Sequence, residues 1–149
     1  MPLFKKDSFT IIVGCGRLGA HIAQTLLARG GGVLIIDTSR DSFRKLGASF
    51  DGILLCGDAT RIKTLEDADI GSADALIAVT HDDNTNILVT QLAKLNYGVP
   101  RVIARLYNPE RQVINEPHGI GIISPVLLST KQIELALADL DSQNNEVLQ

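Results

Sequence analysis

A chain of 149 residues has the length of one domain, and with 45% hydrophobic and 21% charged residues it can bury a core without disulfide or metal staples. Its formal net charge of −3 and pI near 5.5 give no general attraction to phosphate backbones or anionic lipid, which excludes nucleic acid as the expected partner. The two cysteines, Cys15 and Cys56, are too few for a secreted scaffold and fit a reducing cytosol. Residues 1–7 are too short and polar to hold a secretory signal, and the apolar runs fall far below the roughly 18 residues that cross a bilayer, so no direct membrane insertion is expected.

Residues 9–13 read as a buried strand that ends in Gly14-Cys15-Gly16-Arg17-Leu18-Gly19, and 18–28 have the apolar spacing of a helix. A β-branched run over 33–36 stops at Asp37, and 41–46 form a short helix, which completes one βαβ unit. The pattern recurs with a strand over 53–56, a helix over 62–68, a strand over 75–79 and a helix over 84–95 whose Ile87, Leu88, Leu92 and Leu95 share one face. A fifth strand over 102–104 precedes a helix over 109–114, a sixth strand spans 120–123, and Pro125 opens a last helix through residue 140. Short, nearly continuous Val/Ile/Leu strands separated by helices indicate strands buried on both faces. The fold class is therefore α/β, a doubly wound Rossmann-type sandwich with a mainly parallel six-stranded sheet. Residues 1–8 form an N-terminal extension, 9–140 the domain, and 141–149 a polar tail without period that is expected to fray or to lead into a further segment.

Glycines 14, 16 and 19 follow a strand and open a helix: the first permits a tight turn, the second the approach of a pyrophosphate, the third close packing of helix on sheet. Asp37 ends the second strand 18 residues after Gly19, where an acid can accept from both ribose hydroxyls; its charge argues against a 2′-phosphate. A bare strand–helix turn with a capping carboxylate is the competing reading, and the coincidence of both features disfavours it. Gly57-Asp58-Ala59-Thr60 follows the third strand at the carboxyl edge. Asp58 could accept from an adenine amino group with Ala59 leaving room for the ring, or Asp58 or Thr60 could cap the helix near Arg61; local sequence leaves both open. Arg17 in a first helical turn opposes the helix dipole and makes more sense beside a bound anion. Arg105, ending the fifth strand, could pair with phosphate or join a surface ion pair.

Jointly, the glycine turn with Arg17, Asp37, Gly57-Asp58-Ala59-Thr60, Ala78-Val79-Thr80 with Asp83 and Asn86, Val102-Ile103-Ala104-Arg105 and Ser124-Pro125 resemble the amino-terminal RCK domain, also called KTN or TrkA-N, of potassium channel and transporter regulators. The resemblance covers residues 9–140. It implies a nucleotide-sensing regulatory subunit or domain of a potassium uptake or efflux system, cytoplasmic and peripheral at the inner face of the membrane through a membrane-embedded transporter or channel subunit. It also implies a homo-oligomer, a dimer or a ring. The implied ligand is NAD or NADH, with ATP, ADP or AMP as the alternative. By the same resemblance the phosphates lie against Gly14, Cys15, Gly16, Arg17 and Leu18, with Gly19 closing the turn. The ribose then lies against Asp37 and Thr38 and the adenine near Asp58 and Ala59, while Thr80, His81 and Arg105 complete the site.

Three features depart from the family pattern. Gly30-Gly31-Gly32 should make an unusually pliable loop; Cys15 stands in the turn, where a buried inert thiol is the expectation and a redox-sensitive one the alternative; and the chain stops where many relatives continue into a carboxyl-terminal ligand domain, as an excised domain would. The competing class is a small NAD-dependent oxidoreductase, which needs a substrate region and a proton donor. His21 falls within the first helix and His118 in a loop, leaving His81 at the ligand edge; Tyr97 and Tyr107 lack a paired lysine, and the cysteines and histidines are too scattered for a metal. A non-catalytic role is the expectation. Leu127, Leu128, Ile133, Leu135 and Leu137 exceed what one face of a terminal helix needs for its own domain, so part of this helix should pack against a second subunit.

Overall fold

The computed structural model describes residues 7–111 and 118–149. Six parallel strands form one sheet in the order β3-β2-β1-β4-β5-β6, with β1 Phe9–Val13, β2 Gly32–Asp37, β3 Ile53–Cys56, β4 Ala75–Ala78, β5 Arg101–Arg105 and β6 Gly121–Ile123. The chain runs outward from β1 to β3 and then crosses back to β4 on the other side of β1. Strand order therefore reverses between β1 and β4, and a crevice opens beyond their carboxyl ends.

Alternation along the strands sorts the core into two layers. Ile12, Ile35, Ile77 and Val79 point to one side, where Ala20, Ala23 and Leu26 of α1 (Arg17–Ala28) and Leu46 of the 3-10 turn Arg40–Leu46 cover them. Ile11, Ile36, Leu76 and Ala104 point to the other, packed by Leu65 of α2 (Ile62–Asp67) and Val89 of α3 (Asp83–Gln91). Most element limits lie within a residue or two of those the sequence predicts.

Several expectations need correction. The strands are not all buried on both faces: β3 is an edge strand, with Ile53 60% and Leu54 47% exposed. The expected apolar face of the fourth helix does not point inward as a unit. Of the expected face, Ile87 is buried and Leu92 packs against the core, but Leu88 and Leu95 are exposed, and Asn86, Val89, Thr90 and Ala93 take further inward positions; the helix then widens into a π turn over Leu92–Asn96. The Gly30-Gly31-Gly32 loop is a bonded turn rather than a slack one. Gly30 sits at φ +87 after α1, its amide and that of Gly31 donate to the Leu27 and Leu26 carbonyls, and Gly32 donates to Ser8.

The tail expected to fray is helical instead, because α4 runs Pro125–Val147. No glycine or proline interrupts it after Pro125, its Ser124 cap accepts from the Leu127 amide, and no residue of α4 is buried. Of the helix predicted over 109–114, the described part is the 3-10 turn Pro109–Arg111. Its remainder, like residues 1–6 of the N-terminal extension, lies outside the described residues. No helix among the described residues is long and apolar enough to cross a membrane.

Candidate functional site

The turn after β1 leaves no choice of residue at two positions. Gly14 has φ +106, and a Cβ there would stand 2.9 Å from the Thr80 amide nitrogen at the end of β4. A Cβ on Gly19 would overlap the carbonyl oxygen of Gly14. These contacts bring α1 hard against the sheet, so its amino end opens at the crevice. No side chain caps this helix and no acid sits in its first turn, so its first amides and the positive end of its dipole face the cleft.

Asp37 closes β2 directly beside this turn. One carboxylate oxygen accepts from the Cys15 amide at 2.8 Å and the other from the Ser39 amide at 2.8 Å, tying the end of β2 to the end of β1. Asp58 forms a different local structure, in which a single oxygen accepts from both the Thr60 amide (2.9 Å) and the Thr60 hydroxyl (2.6 Å). Those bonds hold its carboxyl below the usual carboxylate range. No side chain caps α2, so the helix-cap reading of Asp58 and Thr60 is set aside. Ala59 is buried in the core beneath them.

The far wall is organised by a residue that the sequence supplied without a role. Asn86 is fully buried. Its oxygen accepts from the Thr80 amide (3.0 Å) and hydroxyl (2.6 Å), and its NH2 donates to the carbonyls of Thr80 (3.0 Å) and Arg105 (2.8 Å). Asp83 likewise accepts from the Tyr107 and Asn108 amides at 2.8 and 3.0 Å, fixing the turn after β5. The available signal was a polar residue on the inward face of α3, six residues after the threonine that follows β4. His81 extends over the glycine turn, with Nε2 3.6 Å from where a Cβ on Gly16 would lie. Among the described residues Arg17 and Arg105 join no ion pair.

These groups surround one cleft of about 950 Å³, and every expected site residue lines it except Gly19, which lies beneath the turn. Ser42, Lys45 and Thr85 also line it and were not foreseen. Ser42 and Lys45 arrive because the 3-10 turn folds back over the glycine turn, an arrangement that no spacing in the sequence announces. The Cys15 thiol is fully buried and donates to the Ser42 carbonyl at 3.4 Å. Burial, and then the charge of Asp37, push that thiol up, so it takes the inert form of the two considered. We expect a thiol reagent to label Cys56, which is exposed, rapidly and Cys15 only after denaturation; two fast equivalents in the native protein would contradict this packing. Among the described residues no three His, Cys, Asp or Glu side chains gather as a metal site would require.

The TrkA-N domain family model matches residues 10–125. The Trk system potassium uptake protein TrkA of Streptomyces coelicolor is 38% identical over 123 residues, which is 83% of this chain and 55% of that protein. Among solved structures, the GsuK channel bound to NAD superimposes with a TM-score of 0.79 at 26% identity, covering 93% of this chain and 24% of that one. GsuK bound to ADP superimposes with a TM-score of 0.74 at 26% identity, covering 87% and 33%. The chain spans about half the length of the curated relatives it matches.

Proposed function

The chain belongs to the TrkA-N domain family, and from that membership we propose that it is a nucleotide-sensing regulatory unit of a potassium uptake or efflux system, binding an adenine nucleotide in the cleft at the carboxyl edge of its sheet. NAD or NADH is the first candidate, with ATP, ADP or AMP as the alternative; the related GsuK structures are bound to NAD in one case and ADP in another. One observation carries the reading: the Asp37 carboxylate and the amide-lined turn meet at 2.8 Å, so an acid suited to ribose and donors suited to phosphate serve the same cleft.

In this placement the pyrophosphate rests against the turn from Gly14 to Leu18 and the amides that begin α1, with Arg17 and Arg105 as counter-charges. The ribose hydroxyls donate to the remaining lone pairs of Asp37, each of whose oxygens has one protein donor, with Thr38 alongside. Adenine lies near Asp58 and Ala59, and Thr80 and His81 close the rim. The ligand acts as a signal rather than a reactant, biasing two arrangements of an assembly to which it binds with unequal affinity. The exposed Leu127, Leu128, Ile133, Leu135 and Leu137 of α4 support a homo-oligomer, and the TrkA relatives support a membrane-embedded potassium transporter subunit as the partner on the cytosolic side.

Asp37→Ala is the direct test. Loss of a charged acceptor for two hydroxyls should weaken NAD and ADP binding roughly tenfold to a hundredfold by calorimetry. An unchanged isotherm in a folded variant rejects the placement.

A further inference from the structure

The ionisable groups lining the cleft cancel in number, with one left over. Arg17 at the start of α1, Lys45 in the 3-10 turn after β2 and Arg105 at the end of β5 are cations, and Asp37 of β2, Asp58 after β3 and Asp82 before α3 are anions. Cys15, with its thiol pushed up by burial, adds no charge near neutral pH. The remaining group is His81, so its protonation decides whether the lining is formally neutral or carries one positive charge.

Among the described residues no acid forms an ion pair with His81, and each acid of the lining has a local hydrogen-bond donor. Asp37 accepts from Cys15 and Ser39, Asp58 from Thr60, and Asp82 caps α3 by accepting from the Asn84 and Thr85 amides at 2.8 and 3.3 Å. The imidazole meanwhile stands over Gly16, on the side where the proposed phosphates approach. His21 and His118 are exposed and do not line the cleft.

Histidine is the side chain that ordinarily changes charge between pH 5 and 8. We propose that His81 links nucleotide occupancy to protons, its imidazolium contacting the pyrophosphate so that the ligand binds more tightly as pH falls through neutrality. This rests on the nucleotide reading of the same cleft. The sign follows from linkage: an anion favours the protonated ring, so the bound state holds more protons than the free one, and by reciprocity the ligand strengthens the ring's hold on its proton. The exposed position sets a modest effect, about threefold to tenfold in affinity.

The test is calorimetry with ADP-ribose and with NAD, whose pyrophosphate diesters have no ionisation of their own in this range, between pH 6 and 8.5 for the native chain and His81→Gln. The native chain should bind several-fold more tightly at the acid end, and the variant should show a flat profile close to the native alkaline value, with an unaltered melting curve because the side chain is exposed. A flat native profile, or an equal slope in the variant, overturns the role of His81 and leaves the nucleotide site standing. No binding of ADP-ribose, NAD, ADP or AMP at any pH removes the nucleotide site itself, and the linkage with it.

Discussion

Gly19→Ala should destabilise the domain by about 3 kcal/mol and abolish nucleotide binding, an outcome opposite to the usual effect of this substitution. In a helix interior alanine is favoured over glycine by roughly 1 kcal/mol, because it restricts the unfolded chain and protects the backbone. Here the added methyl has no space. It would overlap the Gly14 carbonyl oxygen and come within 3.3 Å of a Val79 methyl, and both neighbours belong to strand ends that are themselves bonded in place. Relief requires α1 to move off the sheet, which opens the turn whose amides face the cleft. Urea denaturation checks the prediction: an unchanged or raised midpoint would show that helix and turn are not in hard contact.

The second large effect is expected at Asn86. Truncation to alanine strands the Thr80 amide and removes donors from two carbonyls in a buried position, where each unsatisfied group costs about 1–3 kcal/mol. A total loss of roughly 3 kcal/mol or more follows, again read from a denaturation midpoint. Asn86→Asp separates bonding from volume. It preserves size and one acceptor yet turns an oxygen toward the carbonyls of Thr80 and Arg105, so it should be at least as damaging as alanine. A stability equal to native for Asn86→Asp would disprove the bonding scheme. Both variants should also weaken adenine-nucleotide binding, since Thr80 and Arg105 lose their common anchor.

The sequence makes the glycine turn legible because its determinants are local: a strand, a positive-φ glycine and a close-packing glycine occupy adjacent positions, and an acid stands where the neighbouring strand must end. Parallel pairing then brings these ends together, since Val13 pairs with Ile36 and Ala78 in a register that leaves no freedom to separate them. What sequence could not decide depends on how elements lean on one another. Leu88 and Leu95 look like core residues by hydropathy, but the turn of the helix points them outward, and Asn86, Ile87 and Ala93 take the inward positions. Lys45 enters the cleft only because a short 3-10 turn doubles back, and the exposure of Ile53 follows from the place of β3 at the sheet margin rather than from its own composition. The polar run 141–147 stays helical because nothing in it breaks a helix already begun at Pro125.

The long terminal helix has a mechanical corollary. At about 1.5 Å per residue, α4 is a rod of roughly 35 Å standing clear of the body, and it springs from Ser124, next to Ile123, which pairs with Arg105 at the cleft wall. Rotating such a rod by about 10° at its root sweeps the far tip through roughly 6 Å, whereas the same rotation displaces atoms beside the pivot by less than about 1 Å. Sub-ångström adjustments near the guanidinium thus become distances comparable to a full helical turn at the periphery.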